Sequence, residues 1–248
     1  MRSLALLSVA HAVNHAYAVL LPPVFLAIIG EFGVSVAVVA ILAAVGSFAS
    51  GMVQLSYAEL TRRVSRRRLL GLGGLVFGGG MAIMALATSF VTFAIPNVLS
   101  RIGGSPQHPV GNGLLAEQFP PARRGFAISA HIAGGNVGTV LILAVVGTPI
   151  LAQVGWRGVS LVLGLLAIVI AGGILAFVRE HGTDRAAAMA GGSSRDALRR
   201  VLADRDLRWL FLTSVLGGGG RGLGVVNLFV LLYLTRVIGL DAGTSGLM

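Results

Sequence analysis

The chain has 248 residues, of which 55% are hydrophobic and 11% charged, with a mean hydropathy of +0.88. A soluble domain carries about a quarter charged residues, so a water-soluble enzyme or binding module is excluded. The net charge of +10 comes entirely from Arg, with no Lys, and Cys is absent, which rules out disulfides and thiolate metal sites.

Several apolar stretches reach the roughly 20 residues needed to cross about 30 Å of hydrocarbon. Their sequence predicts an all-α polytopic membrane protein. The first span, 4–29, is too long for the apolar core of a signal peptide and carries His11, Asn14, His15 and Tyr17. The first three of these share one helical face. A second span, 35–57, holds Ser47, Ser50 and Gln54 and leads into Glu59, Arg62, Arg63, Arg66, Arg67 and Arg68. The third, 69–88, is nearly bare of polar side chains.

The fourth span, 91–118, contains Asn97, Arg101, Gln107, His108 and Asn112. As an unbroken helix it would hold Asn97, Arg101, His108 and Asn112 on one face, within about 40°. The fifth, 125–150, carries His131, Asn136 and Thr139, and the sixth, 158–178, has only Ser160. A long polar connection, 179–206, follows, and an amphipathic segment from Arg195 to Trp209 suits either a helix lying at the membrane surface or a plain solvated linker. The seventh span, 207–235, carries Arg221 and Asn227, and an eighth begins near 241.

Arginine placement sets the orientation. Fifteen lie before span one, after spans two and four, and between spans six and seven, while Arg157 and Arg236 fall on the other side. The positive-inside rule puts the N-terminus and the 179–206 connection in the cytoplasm. In a soluble protein such a charge would suggest nucleic acid, but arginines grouped in short loops between apolar spans indicate topology instead. No nucleic-acid partner is expected.

Polar content peaks in spans one, four and seven, and ionisable groups at bilayer depth mark substrate or proton pathways. The candidate pathway residues are His11, Asn14, His15, Asn97, Arg101, His108, Asn112, His131, Asn136 and Arg221. Spans three and six are expected to lie outermost. Arg101 stays charged and needs an anion or water. His108 suits either a coupling proton or a carbonyl left free by Pro106 and Pro109. Gly134 and Gly138 form a small-x-x-x-small pair expected to pack helices closely, and Glu117 is expected to pair with Arg123 or Arg124. There is no His-Glu-x-x-His motif and no Asp pair, so no metal, cofactor or enzymatic activity is expected. A retinal photoreceptor is excluded because its Schiff base needs a Lys.

The runs Gly103-Gly-Ser-Pro-Gln-His108-Pro109-Val-Gly111, Phe119-Pro-Pro-Ala-Arg-Arg124-Gly125 and Gly134-Gly-Asn136-Val-Gly138-Thr139, with His11-Ala-Val-Asn14, resemble the fosmidomycin-resistance-like branch of major facilitator transporters. The resemblance implies an N-terminal six-helix bundle (1–178), a cytoplasmic central loop (179–206), and helix seven with the start of helix eight (207–248). It implies proton-coupled export of a small organic compound, anionic given Arg101, across a bacterial-type plasma (inner) membrane. The partners are lipid, substrate and protons. In the family's cytoplasmic gating loop the matching positions are Ala58, Arg62, Arg63, Ser65, Arg66 and Arg67; the family's Asp and both Gly are replaced, and Glu59, nearly one turn earlier, is the candidate substitute for the Asp. The chain reads as a fragment, with a missing C-terminal half or a second copy needed for transport. A non-transporting sensor or scaffold derived from a half-transporter is the alternative.

Overall fold

A computed structural model of the chain describes residues 1–141, 148–180, 194–220 and 225–240, all of them helix or short connections. Helices α1 (Arg2–Phe32), α2 (Val36–Arg63), α3 (Arg66–Met84) and α4 (Phe90–Gly104) lead through a 3-10 turn, Ser105–Gln107, into α5 (Pro109–Gln118). They are followed by α6 (Pro121–Leu141), α7 (Thr148–Phe177), α8 (Ser194–Ala203), α9 (Arg205–Gly220) and α10 (Val225–Arg236).

Local chemistry sets the boundaries. Gly33, at φ 62°, ends α1 in the left-handed conformation that glycine adopts without a Cβ penalty. The hydroxyls of Ser35, Ser65 and Ser89 accept from backbone N–H groups three residues on and start α2, α3 and α4. At Ser89 the cap is reciprocal, because Thr92 Oγ1 accepts from the Ser89 N–H at 3.0 Å. The expected 62–68 basic loop is therefore only Val64 and Ser65, with the arginines inside helices.

The bundle is interlocked through glycine. Along α3, Gly71, Gly74 and Gly78 meet Leu175, Ala171 and Gly164–Ile168 of α7. From its other sides Gly73 meets Gly103 and Pro106, and Gly80 meets Pro96 and Ser100. In a bilayer lipid is as apolar as leucine, so close backbone approach is what holds helices together. Helix α3 thus sits wedged between α4 and α7, while α1 packs on α6 and α7, and α2 on α4. Among the three described helices long and apolar enough to span a membrane, α1 is the most buried and α2 the least. Ranking by polarity alone had put spans three and six outermost. A helix bare of polar groups is buried too when its glycines admit a neighbour, since α7 is less buried than α1 but more so than α2.

Three further boundaries differ from expectation. Span four is not one helix: Pro106 and Pro109 lack N–H donors, and a 3-10 turn intervenes. At three residues per turn, that segment rotates α5 by roughly 60° relative to a continuous helix. The helix of span six starts earlier than expected, at Thr148 rather than 158, and kinks at Gly155 (φ 67°, ψ 176°), a backbone that favours glycine. The amphipathic segment 195–209 is two helices, because Asp204 Oδ1 accepts from the N–H groups of Asp206 and Leu207 and starts α9. Arg221, Asn227's side chain and the expected start of helix eight at 241 lie outside the described residues.

On the face opposite the Arg-rich end, Glu31 accepts two bonds from Arg157 (2.6 and 2.9 Å) and one from Trp156 Nε1 (2.8 Å). Arg157 also donates to the Ala87 carbonyl at 2.7 Å and lies 4.2 Å over the Trp156 ring. Arg157 thus ties α1, through Glu31, and the α3–α4 connection, through the Ala87 carbonyl, to α7.

Candidate functional site

Helix α1 builds the site by pointing polar groups toward α4, α5 and α6. Helical spacing places His11 and His15 one turn apart, and both meet histidines from elsewhere. Ring centroids of His11 lie 4.5 Å from His15, 4.7 Å from His108 and 4.5 Å from His131. The rings of His11 and His131 are stacked, 24° from parallel, and both are fully buried. His11 Nδ1 bonds the His131 carbonyl at 2.9 Å, and His15 Nδ1 bonds Thr139 Oγ1 at 3.3 Å. Glycine makes this approach possible, since a Cβ on Gly135 would sit 2.9 Å from His11 Cε1.

Above this cluster lies a second one. Asn97 Nδ2 donates to Tyr17 Oη at 2.8 Å, Ser100 Oγ approaches the same oxygen at 3.4 Å, and the Tyr17 hydroxyl faces Met84 Sδ at 3.6 Å. Asn14 Nδ2 donates to the Gly104 carbonyl at 3.3 Å. Nearby, Ser105 Oγ donates to the Ile102 carbonyl at 2.6 Å and so accepts from Tyr57 Oη at 2.7 Å. Ser105 is a fastener of the helix break, engaged away from His108.

Arg101 points elsewhere, toward α2. Its Nη2 donates to Ser47 Oγ at 2.6 Å, and its Nε is buried with no partner among the described residues. Gly46 leaves room for it, because a Cβ there would fall on the guanidinium stem. Asn112 is partly buried with Oδ1 unpaired, and Asn136 is exposed, on a different side of α6 from His131. The four residues that one continuous helix would align therefore divide: Asn97 and His108 face α1, and Arg101 faces α2. A small, partly open pocket of about 10 Å³ lies apart from all of them, between α1, α3 and α7, with Gln107 a polar lining residue.

At the Arg-rich end, Glu117 lies on Arg66 at 2.7 Å, where the sequence suggested Arg123 or Arg124. Arg124 Nε donates to the Phe119 carbonyl at 3.1 Å. Glu180 accepts the N–H groups of Arg66 and Arg67 at 3.0 and 3.2 Å, a charged cap on the first turn of α3. Glu59 pairs along its own helix with Arg63 at 2.9 Å and Arg62 at 3.7 Å. Sequence reasoning missed Glu180, Ser47, Thr139 and the Glu31–Trp156–Arg157 network. Ser47 and Thr139 showed only as polar residues within apolar spans, and Glu180 as an acid just past the end of one. It also missed that ring nitrogens of His11, His15 and His108 lie within 4.8 Å of one another, a ligand-like set where no metal was expected. The sequence does not show this grouping because local motifs cannot reveal a partner brought by a different helix.

An all-α bundle spanning the bilayer, with a polar seam between its helices, has the architecture of a membrane transporter. The chain belongs to the Major Facilitator Superfamily, whose sequence profile matches residues 7–248. It is 30% identical over 233 residues to the "Probable L-galactonate transporter" of Escherichia coli (strain K12), covering 88% of this chain and 50% of that protein. It is 32% identical over 189 residues to the "Uncharacterized MFS-type transporter YtbD" of Bacillus subtilis (strain 168), covering 75% and 45%. The chain spans about half the length of these curated relatives. The fold matches that of a bacterial homolog to the human lysosomal transporter Spinster, in an inward-facing and unoccupied conformation. The TM-score is 0.74 at 19% identity, over 99% of this chain and 57% of that one. A mutant peptide transporter POT in complex with alafosfalin has TM-score 0.59 at 19% identity, over 94% and 51%.

Proposed function

We propose that this chain supplies one half of a proton-coupled transporter that exports small organic anions by alternating access. Residues 1–178 are the N-terminal half, 179–206 the cytoplasmic connection and 207–248 the start of the second half. The observation that carries the anion reading is Arg101. A guanidinium at membrane depth holds a neutral serine at 2.6 Å and keeps a buried Nε without a partner among the described residues, an arrangement that suits a carboxylate arriving with the substrate. The relative bearing the galactonate name supports this, because galactonate is a carboxylate. Export follows from the resemblance to fosmidomycin-resistance-like transporters. Titratable histidines beside the seam are the candidate proton carriers. The Arg-rich end faces the cytoplasm, and the Arg66–Glu117–Glu180 and Glu59 pairs brace it during gating.

Inverted membrane vesicles energised to an acid interior test this with the complete two-half transporter. Labelled hexonates are expected to accumulate, neutral hexoses to stay out, and a protonophore to abolish accumulation. Equal passage of neutral hexoses would remove the anion reading. Indifference to the protonophore would remove the proton coupling.

A further inference from the structure

We infer that His11, His15 and His108 form a binding site for a divalent transition-metal ion of the zinc, cobalt and nickel class. The donor set consists of three imidazoles, which suit these metals. Their ligand nitrogens lie within 4.8 Å of one another. With metal–nitrogen bonds of about 2.0–2.1 Å, tetrahedral ligands stand roughly 3.4 Å apart. An ion therefore needs the nitrogens to close by up to about 1.4 Å, an adjustment of side-chain torsions.

The hydrogen bonds already present the correct nitrogens. His11 Nδ1 faces a carbonyl oxygen at 2.9 Å, so it carries the proton and Nε2 keeps its lone pair. That Nε2 is fully buried and has no hydrogen-bond partner among the described residues. At His15, Thr139 Oγ1 spends its proton on the Gly135 carbonyl at 3.3 Å and accepts from His15 Nδ1. His15 Nε2 is freed in the same way. A histidine whose second nitrogen donates to a carbonyl or hydroxyl is the usual orientation of a metal ligand. A buried lone pair without a partner is costly, and an ion satisfies it. His131 backs the site by stacking on His11 and giving it the orienting carbonyl.

Three protein ligands leave a fourth position for water or an anionic ligand. His108 is exposed, so it offers the way in. The site joins α1 to the start of α5, across the break in span four. It stands independently of the anion-transport reading.

The test uses the purified 248-residue chain in detergent, without a polyhistidine tag and stripped by chelator. Titration with Co²⁺ is expected to give one ion per chain with tetrahedral d–d absorption, displaced by Zn²⁺. His15→Ala and His108→Ala are each expected to weaken Zn²⁺ binding by at least ~30-fold, and Thr139→Val by about 10-fold. Helicity and elution volume report folding, and Thr139→Val keeps all three ligands if a histidine variant misfolds. Absence of a saturable site, or unchanged affinity in the His15, His108 and Thr139 variants, would overturn the inference.

Discussion

Gly138→Leu is expected to prevent stable assembly of the bundle, and Gly138→Ala to destabilise it by about 2 kcal/mol or more. A Cβ at Gly138 would fall on the carbonyl and Cα of Ala12, and one at Gly134 would lie 2.8 Å from Ser8 Cβ. The obstructing atoms at Gly138 are backbone, so no rotamer change relieves the clash. Helices α1 and α6 must separate, which pulls His11 from the His131 carbonyl and His15 from Thr139. Gly172 is the control, because a Cβ there meets nothing within 4 Å. Its replacement by Ala is expected to be neutral or slightly stabilising, by helix propensity of up to about 1 kcal/mol. Thermal unfolding in detergent, followed by helicity and monodispersity, separates the two. Equal melting temperatures for Gly138→Ala and Gly172→Ala would show that the α1–α6 contact is loose.

Arg101→Gln, placed in the complete transporter, is expected to lower hexonate transport at least ~30-fold. Removing one partner of a desolvated charge pair costs about 2 kcal/mol or more, and each 1.4 kcal/mol is tenfold. Lysine retains charge without the two-pronged geometry, so Arg101→Lys is expected to recover part of the loss. Gly46→Ala offers a finer probe. Its new Cβ displaces the Arg101 side chain, the nearest contact besides the stem being Nε at 2.8 Å, while backbone is untouched. Folding is expected to survive while transport falls. If initial rates in vesicles are unchanged by Arg101→Gln, the anion does not meet this residue.

Composition and Arg placement suffice for the class of fold, since both depend on single-residue transfer energies. The polar face of α1 is equally legible, because His11, Asn14 and His15 follow helical spacing. What stays hidden depends on partners far away in the chain. Polarity cannot reveal that Gly71, Gly74 and Gly78 interlock with α7; Gly74 and Gly78 share the small-x-x-x-small spacing of Gly134 and Gly138, but that spacing does not say which helix it receives. The division of span four follows from two prolines visible in the sequence. Their effect on direction, sending His108 toward α1 and Arg101 toward α2, emerges only once α2 and α1 are packed beside them. Glu117 could choose among several arginines within reach of its helix end. Its actual neighbour, Arg66, comes from α3, positioned there by the Ser65 cap and by Glu180.

The central claim, that the seam beside α1, α2 and α5 faces the substrate pathway, is most directly tested by thiol accessibility. The chain has no Cys, so single cysteines need no prior removal of native ones. In the complete transporter, Ser47→Cys and Asn112→Cys are expected to react with a membrane-impermeant thiol reagent, and hexonate is expected to slow both reactions. Val76→Cys and Val169→Cys, at positions 46% and 71% exposed on apolar faces, are expected to stay unreactive because lipid covers them. Reaction at positions 76 and 169 but not at 47 and 112, or labelling at 47 and 112 that hexonate leaves unchanged, would contradict the account.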